Sequence, residues 1–332
     1  MRTYNIPIFV PHRGCPFDCV FCNQRRITGA TTDVTPDEVR RIISEALKTL
    51  PAKDRYIEAA FFGGSFTGLP IDEQTELLKA AEDFKSELNG IRLSTRPDYI
   101  TEEILDNLQK HGVTTIELGV QSMDDEVLNA SGRGHTSGQV REAVRLIRRY
   151  PFRLGLQMMT GLPGDTPKKS LATADAIIEL KPEMVRIYPT LTIKDTYLEK
   201  MYKNGTYSPQ TLDEAAELCK KLLLKFEANN INVIRLGLQV TEEICEEGSV
   251  VAGPVHSAFR ELVEGRIYYD IIAEKVKGMS GNATVTVNDR EISKAVGNGR
   301  ANIERIKREY NINIKIKGSN KLKKREVTCD CC

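Results

Sequence analysis

From Ile6 to about Leu236, short apolar runs alternate with longer amphipathic stretches. Asn5–Val10, Glu58–Phe62, Ile91–Thr95, Thr115–Gly119, Arg153–Met159, Met184–Tyr188 and Ile231–Leu236 are apolar runs of strand length and predict strands. The stretches between them carry apolar residues at helical spacing. In the first, Thr35 can cap, Pro36 suits the first helical position and Glu38 completes a capping box. Ile42, Ile43, Ala46 and Leu47 then form one apolar face. Ile71–Leu88, Thr101–Lys110, Ser137–Arg149, Ser170–Leu180 and Leu212–Asn229 repeat the theme. Such alternation predicts an α/β fold whose parallel sheet closes into a partial or full (β/α) barrel.

Beyond Leu236 the rhythm changes. Glu246–Gly253 is an acidic connector, His256–Glu264 and Arg266–Val276 are helical, and Gly278–Asn282 reads as a linker. Strand Ala283–Val287, helix Arg290–Val296, turn Gly297–Arg300, helix Ala301–Tyr310 and strand Asn313–Lys317 then make a small α/β module. The expected organisation is a barrel over 1–245, a helical connector and linker over 246–282, the module over 283–318 and a disordered tail over 319–332.

The length, 332 residues, suffices for one large barrel or two ordinary domains, and 28% charged residues with 40% hydrophobic ones fit a globular protein. No apolar run approaches the roughly 20 residues that span a bilayer. The start lacks a signal-peptide core, so a cytoplasmic protein without membrane contact is expected. The net charge of +1 conceals an asymmetry: Lys275–Arg325 holds 14 Lys and Arg against 4 Asp and Glu, a net of +10. This basic segment suits a polyanionic partner; a solvated, lysine-rich tail is the alternative.

Of the eight Cys, three crowd into Cys15–Cys22, at Cys-x3-Cys-x2-Cys spacing just after a predicted strand. Three thiols on one loop can converge on a soft metal centre. Zinc would normally recruit a fourth ligand at short spacing, and the barrel has no second Cys-x2-Cys pair. Three thiolates on a four-iron cluster leave one iron open to a small molecule. A zinc knuckle or unligated Cys is the competing reading.

This loop, with Phe21 directly before the last Cys, resembles that of the radical S-adenosylmethionine (SAM) enzymes, and more narrowly the catalytic-subunit family of the elongator complex. Phe62–Phe66, Ser94–Tyr99, Glu117–Ser122, Gly132–Thr136, Gln157–Gly164 and Arg186–Leu191 continue the resemblance in order. It implies a radical SAM barrel with a [4Fe–4S] cluster on Cys15, Cys19 and Cys22. It also implies SAM held by Phe21, Gly63, Gly64, Ser65, Thr95, Arg96, Gln121 and Arg133, with Met158 a lesser candidate beside the adenine. Gly63 and Gly64 would meet its amino end and Arg133 its carboxylate. Tyr188 would meet substrate or radical, or serve as an anchored phenol. The implied chemistry is reductive cleavage of SAM to a 5′-deoxyadenosyl radical, fed by an electron donor such as flavodoxin or ferredoxin. Cys219 and Cys245 read as packing residues, and His135 as a structural hydrogen-bonding one.

Val296–Ile303 resembles a K-homology (KH) RNA-binding unit, whose Gly-x-x-Gly turn clamps single-stranded nucleotides. Here Arg300 replaces the second Gly. That resemblance implies RNA contacts from Lys294, Gly297, Asn298, Gly299, Arg300 and Arg305; a stabilising cap with a basic face is the alternative. The same stretch faintly resembles an acyl-coenzyme A loop, but the remaining chain is too short for an acetyltransferase domain, and Lys294 replaces the usual Arg or Gln. Cys329, Cys331 and Cys332 are a disordered tail or ligands of an auxiliary cluster. The expected function is radical SAM modification of RNA, with tRNA the foremost substrate. A radical SAM enzyme acting on a small molecule, and a non-catalytic iron–sulfur RNA-binding protein, are the competing expectations.

Overall fold

The computed structural model describes residues 2–10, 15, 19–23, 34–51, 53–238 and 249–331; the expectations for Cys245 and Cys332 fall outside them. Two compact units emerge, Met1–Thr211 with Lys225–Pro254, and Leu212–Leu224 with Val255–Cys332.

The first unit is built on β1 (Arg2–Val10), β2 (Arg55–Gly63), β3 (Gly90–Thr95), β4 (Val113–Gln121), β5 (Arg153–Thr160) and β6 (Met184–Pro189), with β7 (Thr192–Ile193) preceding β8 (Asn232–Leu236). One seven-stranded sheet runs in the order β1-β2-β3-β4-β5-β6-β8. Every pairing in it is parallel. The edge strands β1 and β8 do not pair, so the barrel is partial. β7 pairs instead with β9 (Val250–Ala252) in a small antiparallel ribbon.

The predicted strands all appear, lengthened by up to four residues except β8, which starts one residue later than expected. Hydroxyl caps set the helix starts: the Thr35 hydroxyl accepts from Glu38 N at 3.2 Å, and Thr136 with Gln139 forms a capping box. The helix begun at Ile71 ends at Glu82 rather than Leu88. Two helices the pattern did not reveal, Asp125–Ala130 and Tyr197–Lys203, are too short to show a period.

Alternation along the strands sends one set of side chains into the curl of the sheet. Deep in it lies a buried charged cluster. Arg92 donates to Glu58 at 2.7 Å and to Glu117 at 2.6 Å, and Arg186 donates to Glu117 through Nε and Nη2. Glu58 is fully buried, and the Thr115 hydroxyl donates to it at 2.8 Å. Burial pushes the Glu117 pKa up, but Arg186 and then Arg92 hold it below the ordinary carboxylate range.

The second unit packs β10 (Gly281–Asn288), β11 (Ile312–Ser319) and β12 (Thr328–Cys331) against helices Phe259–Val276, Ile292–Val296 and Ala301–Tyr310. The sheet order is β11-β10-β12, with β11 parallel and β12 antiparallel to β10. Ile272, Val276, Val285, Val287, Ala295 and Ile306 are among its core residues. Two expectations are corrected here. The connector's two helical pieces are one helix through Gly265, and that helix belongs to the module's core. The tail is not disordered: Cys329 pairs with Val285 across β10, and Arg325 ties to Glu264 at 2.8 Å and, through its backbone N–H, to the Tyr268 hydroxyl at 3.1 Å. The open edge of β10 and a buried Val327 supply what its polar composition concealed.

Candidate active site

A cavity of about 630 Å³ opens in the curl of the parallel sheet. Cys15, Cys19, Cys22 and Phe21 line it, with Gly63 and Gly64 at the end of β2, Thr95 and Arg96 after β3, and Gly119, Gln121 and Arg133 around the end of β4. Ligand sites at the carboxyl ends of parallel strands are the general rule for such sheets.

The cysteine segment is pinned from both sides. Cys22 N donates to Cys19 O at 3.0 Å, Val20 N to Ser131 O at 3.1 Å, and Leu198 N to Val20 O at 2.7 Å. The short helix Tyr197–Lys203, absent from the sequence reading, therefore buttresses the thiol-bearing loop. Among the described residues no three His, Cys, Asp or Glu side chains close around a single metal ion. A four-iron cluster would not need the thiols to close around one ion, and the three cysteines do line one cavity.

Arg133 is buried at 7% exposure, with Nη2 donating to Gly119 O at 2.8 Å and Nη1 lying 3.5 Å from Cys19 Sγ. Its Nε, also buried, has no hydrogen-bond partner. A buried guanidinium with no carboxylate partner among the described residues, in a cavity that three thiol-bearing residues also line, fits an anionic ligand. Burial holds the Cys15 thiol above its ordinary range, although Arg133 and Arg96 act in the opposite direction. Gly119 makes room for this arrangement. A Cβ there would stand 2.7 Å from Arg133 Nη2 and 3.1 Å from Gln121 Nε2. Gln121 follows with φ 64°, at a register shift between β4 and β5, and accepts from Gln157 Nε2 at 3.3 Å. A non-glycine residue held in that conformation is strained, and strain of this kind gathers at ligand sites.

Other expected contacts take supporting roles. Arg96 forms a two-bond pair with Asp98 at 2.9 Å and donates to Arg133 O at 2.7 Å, so it fixes the backbone that carries Arg133. Ser65 does not line the cavity; it is buried behind Thr95, with Oγ 2.9 Å from the Thr95 hydroxyl, and accepts from Arg96 N. Met158 is fully buried on the outer side of β5, and its neighbour Met159 faces the cavity, so strand alternation corrects that assignment. Tyr188 lines the cavity and accepts from Arg186 Nη1 at 3.3 Å. His135 donates through Nε2 to Val120 O at 3.2 Å. Burial, with Arg133 and Arg96, pushes its pKa down to about 3, so it is neutral and structural. Asn5, Phe9, Phe62, Gln157, Arg186 and Arg235 also line the cavity and were missed; the inward parity of their strands was the available signal.

In the second unit, Gly297, Gly299 and Arg300 all have positive φ, at 79°, 57° and 65°. Asn298, Gly299 and Arg300 are exposed. Asn302 holds the turn by donating to the carbonyls of Gly265, Lys294 and Ala295 at 2.8, 3.2 and 3.1 Å. Lys294 pairs with Glu291 at 3.0 Å, and Arg305 pairs with Glu309 at 2.8 Å while lying 3.8 Å from the Tyr269 ring centroid. Those two cations are thus committed within the fold, unlike the exposed Lys315 and Lys317 on β11. No helix among the described residues is long and apolar enough to cross a membrane.

Comparison with known proteins agrees with this geometry. The radical SAM superfamily description matches residues 9–177, and a radical SAM C-terminal domain matches residues 182–269. A tRNA uridine(34) acetyltransferase of Methanocaldococcus jannaschii is 32% identical over 176 residues, 51% of this chain and 32% of that protein. Elongator complex protein 3 of Schizosaccharomyces pombe is 28% identical over 57% of this chain and 36% of its own length. The chain thus spans about a third of these curated relatives. The solved structure of Methanocaldococcus infernus Elp3 superposes with a TM-score of 0.64 at 23% identity, covering 81% of this chain and 63% of that one. Escherichia coli coproporphyrinogen III oxidase shares the fold, with a TM-score of 0.52 at 16% identity over 68% of this chain and 52% of that one. Radical SAM proteins bind a [4Fe–4S] cluster and SAM. The three cavity-facing thiols, the glycine cradle and the buried Arg133 fit both. With a parallel half-barrel and a match over half of its length, this chain belongs to the radical SAM superfamily.

Proposed function

We propose that this chain is a radical SAM enzyme that modifies RNA, with tRNA as its substrate class. The observation that carries the reading is the convergence of Cys15, Cys19 and Cys22 with the buried Arg133 on one cavity at the carboxyl ends of the strands. When bound, the cluster supplies the electron that splits SAM into methionine and a 5′-deoxyadenosyl radical. The chain's own residues do the rest. Arg133 holds the methionine carboxylate, Arg96 keeps Arg133 in place, and Gly63 and Gly64 let backbone approach the amino end. Phe21 and Met159 give the cavity apolar surface that disfavours water.

The RNA part rests on relatives whose names specify tRNA uridine(34), and on the second unit. Its Gly297–Arg300 turn points exposed backbone and a guanidinium outward, and Lys315 and Lys317 add charge on β11. These groups would clamp phosphates of the RNA. An electron donor of the flavodoxin or ferredoxin kind belongs to the same reading.

The test is anaerobic reconstitution with iron and sulfide, then reduction with SAM. A [4Fe–4S] absorption and electron-spin signal and release of 5′-deoxyadenosine are expected, and all should be lost in Cys19→Ser. Comparison of tRNA nucleosides from cells with and without the protein then identifies the product. A lone zinc, or an unchanged nucleoside profile, would overturn the proposal.

A further inference from the structure

The cavity has a second cationic group, away from the thiols. Arg186 on β6 and Arg235 on β8 stand opposite each other in register, and both line the cavity. Like charges directly opposite on neighbouring strands repel, so guanidiniums placed in this way call for counter-charge, which Glu117 supplies to Arg186 from below the cavity. Among the described residues that line the cavity the charged side chains at neutral pH are four arginines, with no Asp or Glu. Arg96 and Arg133 serve the thiol end, which leaves Arg186 and Arg235 facing the remainder.

Arg186 is built to hold still. Glu117 takes its Nε and one Nη2 donor, Tyr188 takes one Nη1 donor, and its Cζ lies 5.1 Å from the Phe62 ring centroid. These bonds use three of the five N–H donors of a guanidinium, leaving one on each terminal nitrogen. Its side chain is 13% exposed, and Arg235 is half-buried on the edge strand β8. On the opposite open edge, Asn5 and Pro7 of β1 are solvent-exposed and line the same cavity. A ligand entering between the two edges meets the arginine pair.

We propose that Arg186 and Arg235 form a phosphate subsite for the nucleotide that enters the cavity. Two guanidiniums side by side match the several acceptor oxygens of a phosphate. Phe9 and Tyr188 offer aromatic surface for the attached base, and Asn5 and Gln157 offer groups for its edges. The subsite rests on the RNA reading above for the identity of its ligand, and its location rests on the cavity alone.

The full-length chain is titrated calorimetrically with uridine 5′-monophosphate, uridine and inorganic phosphate, as wild type and as Arg235→Gln and Arg235→Lys. Uridine monophosphate should bind more tightly than uridine to the wild type. Arg235→Gln should weaken it about tenfold, the loss of one charge-assisted hydrogen bond, and leave uridine and SAM binding unchanged. Arg235→Lys should recover most of the loss. Equal affinities for the monophosphate in wild type and Arg235→Gln, or equal losses for monophosphate and uridine, would overturn the subsite. An anticodon stem-loop RNA carrying uridine 34 separates the two readings. If it fails to bind while phosphate binding stays sensitive to Arg235, the RNA reading falls and the anion subsite stands. If it binds while Arg235→Gln changes no phosphate-bearing ligand, the subsite alone falls.

Discussion

Replacing Glu117 with Gln tests whether the charged cluster under the cavity is a structural keystone. The carboxylate takes Arg92 Nη1 at 2.6 Å and two donors of Arg186, and it is 3% exposed. Two carboxylates, Glu58 and Glu117, balance two guanidiniums, Arg92 and Arg186. Glu117→Gln leaves one surplus positive charge in the cluster and turns an amide N–H towards donors. A unit pair near 4 Å at an effective dielectric of 20 is worth about 4 kcal/mol, and breaking one partner of a buried pair costs roughly 3–5 kcal/mol. With an m-value of about 3 kcal/mol/M in urea, the unfolding midpoint should fall by about 1–1.7 M. The chain has no Trp, so far-ultraviolet circular dichroism is the probe. In the Arg92→Met background the same change should cost much less, because the surplus charge is gone. A loss below about 1 kcal/mol, or an equal loss in both backgrounds, would refute the argument that these charges depend on one another.

Gly119→Ala forces a Cβ to 2.7 Å from Arg133 Nη2, so SAM affinity should drop about tenfold or more in equilibrium dialysis while urea stability changes little. For His135, whose folded pKa of about 3 lies below the unfolded value near 6.5, the unfolded state binds more protons between those values. Stability is therefore full above pH 6.5 and declines as pH falls, with a slope approaching about 1.4 kcal/mol per pH unit; His135→Asn should flatten that slope in urea titrations at pH 4.5–7. Arg300→Gly relieves a left-handed non-glycine residue and should stabilise the second unit by about 1 kcal/mol, while weakening RNA binding in filter assays and lowering its salt dependence by about one counterion.

The strand–helix rhythm made the sheet legible because its strands are apolar runs and several of its helices open on a threonine hydroxyl cap. Local spacing exposed the cysteines, and glycine pairs marked the cradle. What stayed hidden was tertiary. Glu58, Arg92 and Glu117 sit inside apolar strands, where a single polar residue reads as an interruption, and only the register reveals that they face one another. Met158 and Met159 differ by one position and hence by a whole face of the sheet. The terminal strand looked polar because one short strand at a sheet edge needs few apolar residues; Val327 and the Arg325–Glu264 pair hold the segment that leads into it. Lys294 and Arg305 were implied as RNA contacts by the KH resemblance, whereas Glu291 and Glu309, three and four residues away in sequence, pair with them within the fold.

The difference between Arg96 and Arg133 shows how the site allots its charges. Both are buried and both line the cavity, so exposure does not distinguish them. Arg96 carries its own counter-ion in Asp98, and the remaining bond at the same nitrogen goes to a backbone carbonyl; its electrostatic demand is met inside the fold. Arg133 is given a carbonyl and a thiol, neither of which is a full counter-charge unless the thiol ionises. Burying a cation on those terms is unfavourable, and the unsatisfied Nε adds to the cost. Both penalties disappear once thiolates and a carboxylate occupy the cavity, so ligand affinity and stability without ligand oppose each other at this residue. An arginine with its own aspartate could not bind an incoming carboxylate as strongly. The fold therefore uses one guanidinium to position the other, and leaves to the second the charge that a ligand must answer.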